Sequence, residues 1–411
     1  MPEEIPFSRP FLGLEEEEAV IRVLRSRWLT TGREALAFEE EFAAFLSAPP
    51  PNPAQAGGLR ALAVNSATAG LHLALEASGV GPGGVVISPS LTFTATAEVA
   101  RYLGAEAAFA DVKPGTYHLD PAALELCLDR LSRGFPAYAP RRGEGGEGFG
   151  PRGRPQAVMP VHYGGLSCDM EAILSICRSY GVPVIEDAAH AFPSRLSDGS
   201  FAGTLGDAGV FSFYATKPIT TGEGGMVVTG NEALAKRMAT MRLHGIDRPV
   251  WNRYTDSRAS WYYDVVAPGY KYNLTDLQAA LGRVQLGRAW ELLRMREEIA
   301  RRYDAAFAGV AGLSVPPTGP GDARHLYPLG LPPGLDRDGL IGKLRERGIG
   351  VSVHFIPLHT MSWYRDRYGL EPEDFPESLR SFRREVSLPI WAGMSGAQAD
   401  RTAGEVLSLV R

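Results

Sequence analysis

A mostly parallel α/β sheet covered by helices on both faces, followed by a smaller second domain of mixed α and β elements, is what this sequence predicts. Two observations carry that reading. Between Ala61 and about Val228, short apolar β-branched runs alternate with helical patterns, and most runs end in small or polar residues. Alternation of this kind marks crossover units in a parallel sheet. After about Gly245 the pattern gives way to an aromatic-rich segment and one long helical stretch, "LTDLQAALGRVQLGRAWELLRMREEIARRYDAAF".

In chain order, the expected strands are "LRALAVN", "GVVISPS", "EAAFADV", "QAVMPVH", "VPVIEDA", "DAGVFSF" and "GMVVTG". Between them lie the helical stretches "AGLHLALEASG", "TATAEVARYLG" and "DMEAILSICRSYG", each closed by a glycine suited to a helix C-cap. Two segments interrupt the alternation, Ser47 to Gly58 and Ser132 to Pro155. The second is so rich in glycine and proline that it reads as a flexible surface insertion with no part in the core and no chemistry. A large domain over residues 1–250 and a crossing segment with a small domain over 251–411 are expected, the small domain beginning along the long helix.

Composition narrows the function. The 411 residues are 45% hydrophobic and 22% charged, enough for a sizeable core. A net charge of −5, with basic residues spread along the chain, points to neither nucleic acid nor a membrane surface. Cys127, Cys168 and Cys177 lack CxxC spacing, which argues against a disulfide framework and a zinc site. No apolar leader or membrane-length run is present, so a cytoplasmic protein acting on small molecules is expected.

Lysine occurs at five positions only: Lys113, Lys217, Lys236, Lys271 and Lys343. Lys217 stands apart from the helical and turn settings of Lys113, Lys236 and Lys343, because it follows the strand "GVFSF" and precedes Pro218 and a glycine cluster. Proline biases the residue before it towards extended geometry, and ligands of open α/β sheets gather at strand carboxyl ends. In a semi-apolar cleft its ammonium is disfavoured, and a neutral amine can attack a carbonyl. Lys217 is therefore a Schiff-base candidate.

"VPVIEDAAHA" delivers Glu186 and Asp187 at a strand end, with His190 close behind. Two carboxylates there could serve a metal, a ribose hydroxyl or a protonated ring nitrogen. No clustered ligand set supports a metal. An acid paired with a pyridinium matches pyridoxal phosphate chemistry, and strand alternation leaves one of the two for the cleft, Asp187 being nearer the loop. "AVNSATAGLHLAL" adds a strand, a small-residue turn and a helix start at Ala67 and Thr68, whose free N–H groups suit a phosphate; N-capping by Ser66 explains the same residues. Ser212 is a further phosphate candidate, and Phe93 could stack on a ring or serve the core. The argument lies in their joint placement at strand carboxyl ends.

On these residues, and on "WLTTGREALAFEEEFAAFL", "SPSLTFTATAEVA", "PVHYGG", "FSFYATKPITTGEGG", "GYKYNLTDLQAALG", "VSVHFIPLH" and "VSLPIWAGM", the chain resembles the DegT/StrS-type sugar aminotransferases over nearly its whole length. The resemblance implies the type I fold of pyridoxal-phosphate-dependent transferases and transfer of an amino group, from L-glutamate, to a nucleotide-linked keto sugar in glycan biosynthesis. It implies that Lys217 holds pyridoxal 5'-phosphate covalently, that Asp187 faces the ring nitrogen, that His190 lies near the phenolic oxygen, and that Phe93 stacks on the ring. Ala67, Thr68 and Ser212 match the phosphate contacts. The "GYKYN" segment, similar to the branch that makes 4-amino-4-deoxy-arabinose, implies a homodimer with shared sites, in which Lys271 or Asn273 completes the neighbouring phosphate cradle. Trp28, His162, Tyr163, His354 and His359 are candidate substrate-side residues. Related sugar dehydratases place histidine where this chain has Lys217; a dehydratase or lyase reaction, and a regulator that senses the cofactor or a sugar nucleotide, are the alternatives.

Overall fold

The computed structural model describes residues 4–47, 58–247 and 263–410. Most of the first interruption and the expected domain boundary at 250 lie outside the described residues. Two helices open the chain, α1 (Leu14–Ser26) and α2 (Arg33–Leu46). The α/β part follows as β1 (Arg60–Val64), α3 (Ala67–Ala77), β2 (Gly84–Pro89), α4 (Ala95–Tyr102), β3 (Glu106–Ala110) and α5 (Pro121–Ser132). It continues through β4 (Arg154–Val158), α6 (Met170–Tyr180), β5 (Ile185–Asp187), β6 (Ala208–Ser212), β7 (Gly225–Thr229) and α7 (Glu232–Met241).

Pairings within the strands, and the parallel bridges Val158 to Val184 and Val161 to Asp187, give the order β3-β2-β4-β5-β6-β7-β1. Only β7 among these seven runs against the rest, pairing antiparallel with both β1 and β6. The expected mostly parallel sheet is therefore present, with β7 as its one antiparallel strand. Helix starts follow local chemistry: Asp120 accepts from the Ala122 N–H ahead of Pro121 to start α5, and Asp169 caps α6, which ends at Gly181 with φ 64°.

Beyond residue 262 come α8 (Asp276–Gly287), α9 (Ala289–Phe307), β8 (Tyr327–Gly330), α10 (Arg337–Glu346), α11 (Ser362–Tyr368), α12 (Pro376–Arg384), β9 (Glu385–Leu388) and α13 (Gly396–Val410). The single long helix expected from "LTDLQAALG…" is thus two helices. They part at Arg288, whose φ of −100° and ψ of 2° break the helical path. Its guanidinium bonds Glu16 of α1 and, three residues on, Glu291 of α9, so one tertiary ion pair helps hold a bend that periodicity does not reveal.

One face of the sheet packs Phe211 and Phe213 against Phe38 and Phe42 of α2. The opposite face carries α3, with Leu71, Leu73 and Leu75 packed against Val210 and Val227. Phe42 is fully buried among four other aromatic rings. We expect Phe42→Ala to lower stability by about 3–5 kcal/mol, read as a fall in the denaturant midpoint. A separate cluster joins Tyr303 and Phe307 of α9 to Tyr327, Leu329, Val386 and Leu388 of the β8–β9 pair.

The glycine- and proline-rich segment 132–155 departs from expectation. Ala137 is buried and Tyr138 half-buried, Tyr138 pairs with Phe149 as a bridge, and the Phe109 N–H donates to the Tyr138 hydroxyl at 2.7 Å. Arg141 forks onto Asp374 at 2.9 and 2.8 Å and lies 4.1 Å from the Phe149 ring centroid. A few aromatic and guanidinium anchors suffice to seat a chain whose average composition suggests none.

Candidate active site

Strands that run parallel present their carboxyl ends on one side, and a cavity of about 590 Å³ opens there. The loops after β1, β2, β4, β5 and β6 supply Ser66, Thr92, Phe93, Val161, Asp187, His190 and Lys217 to its wall, and the C-terminal half adds His325, His354 and Phe355.

Asp187 ends β5 and is 5% exposed. Its Oδ2 accepts from the Thr96 hydroxyl at 2.8 Å and its Oδ1 from the Ala189 N–H at 3.2 Å. Burial raises its pKa, opposed by those two donors and by Lys217. Thr96 is itself 2.8 Å from Thr92, so α4 braces the carboxylate. Glu186 points the other way, fully buried, and accepts N–H bonds from Gly203, Leu205 and Gly206 at 2.8, 2.6 and 2.7 Å. Its remaining contact is His162 Nε2 at 2.8 Å. A carboxylate so enclosed is structural: Glu186→Gln would set an amide N–H against backbone donors. We expect it to lower stability by about 2–3 kcal/mol while folded enzyme keeps turning over.

Lys217 sits in a turn after β6, its N–H bonded to the Tyr214 oxygen at 2.9 Å, so it does not extend the strand as Pro218 suggested. The side chain is half-buried on the cavity wall. Burial lowers its pKa to about 8, against the pull of Asp187 and with some help from Arg296. The sign is clear: the amine is cationic below that value and nucleophilic above it. Amine-selective labelling of the cofactor-free protein should therefore rise at Lys217 as pH passes about 8, as peptide mass spectrometry would show.

His190 is buried, its Nδ1 accepting from the Gly164 N–H at 3.3 Å. Burial, with Lys217 and His354 nearby, holds its pKa well below the usual imidazole range. A neutral ring with Nδ1 as acceptor carries its proton on Nε2.

Ser66 caps α3 through the Ala69 N–H at 3.1 Å, and Ala67 and Thr68 at the start of that helix line the cavity with Ser212. The helix start lies so close to β7 that a Cβ on Gly225 would meet the Ala67 nitrogen at 2.8 Å. Phe93 is 56% exposed at the rim, tilted against Phe355 at 5.8 Å.

The substrate-side candidates divide. His354 lines the cavity. His162 and His359 do not: both are 0% exposed, His162 held by Glu186 and the Cys168 N–H, His359 by Ser90 and the Pro372 oxygen. Tyr163 is 2% exposed, stacked on Tyr117 at 4.5 Å, and donates to the His354 oxygen. These three are packing and positioning groups in this chain, because burial has already used their polar atoms. Trp28, whose Nε1 donates to the Thr31 oxygen at 3.3 Å, and Lys271 and Asn273 do not line this chain's cavity. Lys271 Nζ donates to Asn273 Oδ1, whose amide nitrogen donates to Thr31 Oγ1 at 2.7 Å.

Sequence reasoning missed Thr96, which braces Asp187, and two residues of the C-terminal half, His325 on the cavity wall and Arg296, which helps lower the Lys217 pKa. A signal existed for Thr96, three residues past Phe93 at a helix start; the others come from distant segments and carry none.

The residues present suit pyridoxal phosphate: an amine of lowered pKa, a braced carboxyl, a helix start with a hydroxyl beside it, and an aromatic ring share one cavity. The DegT/DnrJ/EryC1/StrS aminotransferase family profile matches residues 11–407. The spore coat polysaccharide biosynthesis protein SpsC of Bacillus subtilis is 42% identical over 414 aligned residues, covering 99% of this chain and 97% of that one. Among solved structures, Helicobacter pylori PseC, an aminotransferase of pseudoaminic acid biosynthesis, superposes with a TM-score of 0.84 at 28% identity, covering 99% of both chains. The sugar aminotransferase Spr1654 of Streptococcus pneumoniae superposes in its PLP form with a TM-score of 0.82 at 28% identity, again over 99% of both chains. Geometry and similarity agree: the chain belongs to the DegT/DnrJ/EryC1/StrS aminotransferase family and is a pyridoxal-phosphate-dependent sugar aminotransferase.

Proposed function

We propose that this enzyme moves an amino group from L-glutamate to a nucleotide-linked keto sugar, as a homodimer in the cytoplasm, for polysaccharide or related glycan biosynthesis. The carrying observation is the half-buried amine of Lys217 sharing one cavity with the braced carboxyl of Asp187. SpsC, by its description a polysaccharide biosynthesis protein, supports the pathway class.

When bound, pyridoxal phosphate supplies a carbonyl carbon that takes up the amino nitrogen and a ring that stores the electron pair released at the reacting carbon. The chain's residues do the rest. Ala67 and Thr68 N–H groups and the Ser212 hydroxyl bind the phosphate. Asp187 holds a proton at the ring nitrogen, and His190 donates from Nε2 to the phenolic oxygen. Phe93 covers one ring face and excludes water. The Lys217 amine would take a proton from the donor's α-carbon and deliver it to the cofactor carbon that bears the amino nitrogen, and would run the transfer in reverse for the acceptor, a task suited to a base whose pKa is near the working pH. Because donor and acceptor visit the site in turn, the kinetics are ping-pong.

Lys271 of the partner subunit completes the phosphate site in this reading. Asn273 has its amide and its oxygen already engaged, whereas the exposed ammonium of Lys271 has donors to spare. The test is a glutamate-dependent assay against nucleotide-linked keto sugars, with the amino sugar identified by mass spectrometry. Turnover of glutamate without amination of any sugar in the panel would overturn the acceptor assignment.

A further inference from the structure

His354 enters the cavity from the C-terminal half, opposite the strand ends, with its ring stacked on Phe7 at a centroid distance of 5.3 Å. Its Nδ1 is 2.9 Å from the Ser387 hydroxyl, and that hydroxyl is hydrogen-bonded to Glu385 Oε1. The other carboxyl oxygen, Oε2, accepts the His354 backbone N–H at 3.0 Å. Glu385 and Ser387 belong to β9 and are 1% and 0% exposed. The three side chains thus form a line from a buried carboxyl to the cavity, with the Tyr163 phenol also beside the Ser387 hydroxyl, and Nε2 is the ring nitrogen left for the cavity.

A serine hydroxyl has one proton, so the line has two self-consistent states. With Glu385 protonated, Oε1–H donates to Ser387, Ser387 donates to Nδ1, and the ring proton sits on Nε2. With Glu385 ionised, Ser387 donates to the carboxylate, Nδ1–H donates to Ser387, and Nε2 carries a lone pair. Going from the first state to the second releases one proton from Nε2, while the serine proton moves to Nδ1 and the carboxyl proton moves to the serine oxygen.

We propose that Glu385 and Ser387 are positioning residues that set the tautomer of His354, presenting Nε2–H to the carbonyl oxygen of the acceptor sugar and withdrawing it when Glu385 ionises. This rests on the keto sugar reading above. Burial pushes the Glu385 carboxyl up to about 8, despite Ser387, the His354 N–H and Arg337 of α10. Burial and Lys217 lower His354 to about 4, so the ring changes tautomer without changing charge. Arg384 and the phenols of Tyr117 and Tyr163 also face this region, and burial raises both phenols. Around the ring stand Lys217, His190 and His325, the two imidazoles kept neutral by burial. Lys217 titrates in the same range as Glu385, so pH alone does not distinguish them; substitution does.

The test uses holoenzyme and two readouts. In 15N-histidine-labelled protein, with His354→Gln for assignment, the ring should be protonated at Nε2 below pH about 8 and at Nδ1 above it. Glu385→Gln, whose amide imitates the protonated acid, should stay Nε2-protonated throughout. In single-turnover half-reactions, apparent affinity for the keto sugar should fall about 10-fold as pH rises through that range, the value of one hydrogen bond. The glutamate half-reaction should lack that limb. Glu385→Gln and Ser387→Ala should both abolish the limb, and Ser387→Thr should restore it. An unchanged tautomer across pH, or a limb that survives in Glu385→Gln, overturns the proposal. If the tautomer switches as stated but no keto sugar reacts, the acceptor assignment fails and the positioning role stands.

Discussion

Replacing Lys217 by alanine should abolish turnover, by more than about 10³-fold, while the protein folds and still binds pyridoxal phosphate non-covalently. The side chain is half-buried and its amine is not needed for packing, since the turn is held by backbone bonds from Lys217 to Tyr214 and from Thr221 to Phe213. Borohydride treatment of the wild-type holoenzyme should fix the cofactor onto the peptide containing Lys217; the variant should show no fixation. A colourless wild-type protein with no fixed cofactor, or a variant with normal turnover, would remove the assignment on which every other role rests.

Asp187→Asn should lower turnover by about 10²-fold or more at a smaller cost in stability than Glu186→Gln, since only one backbone donor, the Ala189 N–H at 3.2 Å, is left facing the amide nitrogen. The amide is isosteric and can still accept from the Thr96 hydroxyl, but it cannot balance a positive charge at the ring nitrogen. Loss of that charge partner should also move the absorbance of the bound cofactor, a change that misfolding does not mimic. Glu186→Gln gives the contrast: stability falls and turnover per folded molecule persists, because Glu186 faces backbone N–H groups on the far side of β5. Near-normal activity in Asp187→Asn would mean that the wrong carboxylate was chosen.

Much of the site could be read from the chain because its parts are local. Strand alternation separates Asp187 from Glu186, a strand-turn-helix places Ala67 and Thr68, and a lysine among glycines after β6 identifies Lys217. Strand positions followed the apolar runs closely, since burial on both faces leaves a parallel strand little choice of residue. The failures share one origin. Segment 132–155 packs through single anchors that average composition hides, the helix expected over 274–307 bends where Arg288 meets Glu16 from the first helix, and His359 is enclosed by Ser90 from a distant part of the chain.

By itself, then, the sequence determined the parallel sheet, its carboxyl-end cleft and the residue types that line it, because hydrophobic periodicity and turn chemistry act over a few residues. Only the tertiary structure decided which histidines reach the cavity, how far the Lys217 amine is desolvated, and that Glu385 lies behind His354. Desolvation and hydrogen-bond saturation depend on what segments hundreds of residues apart bring to the same place.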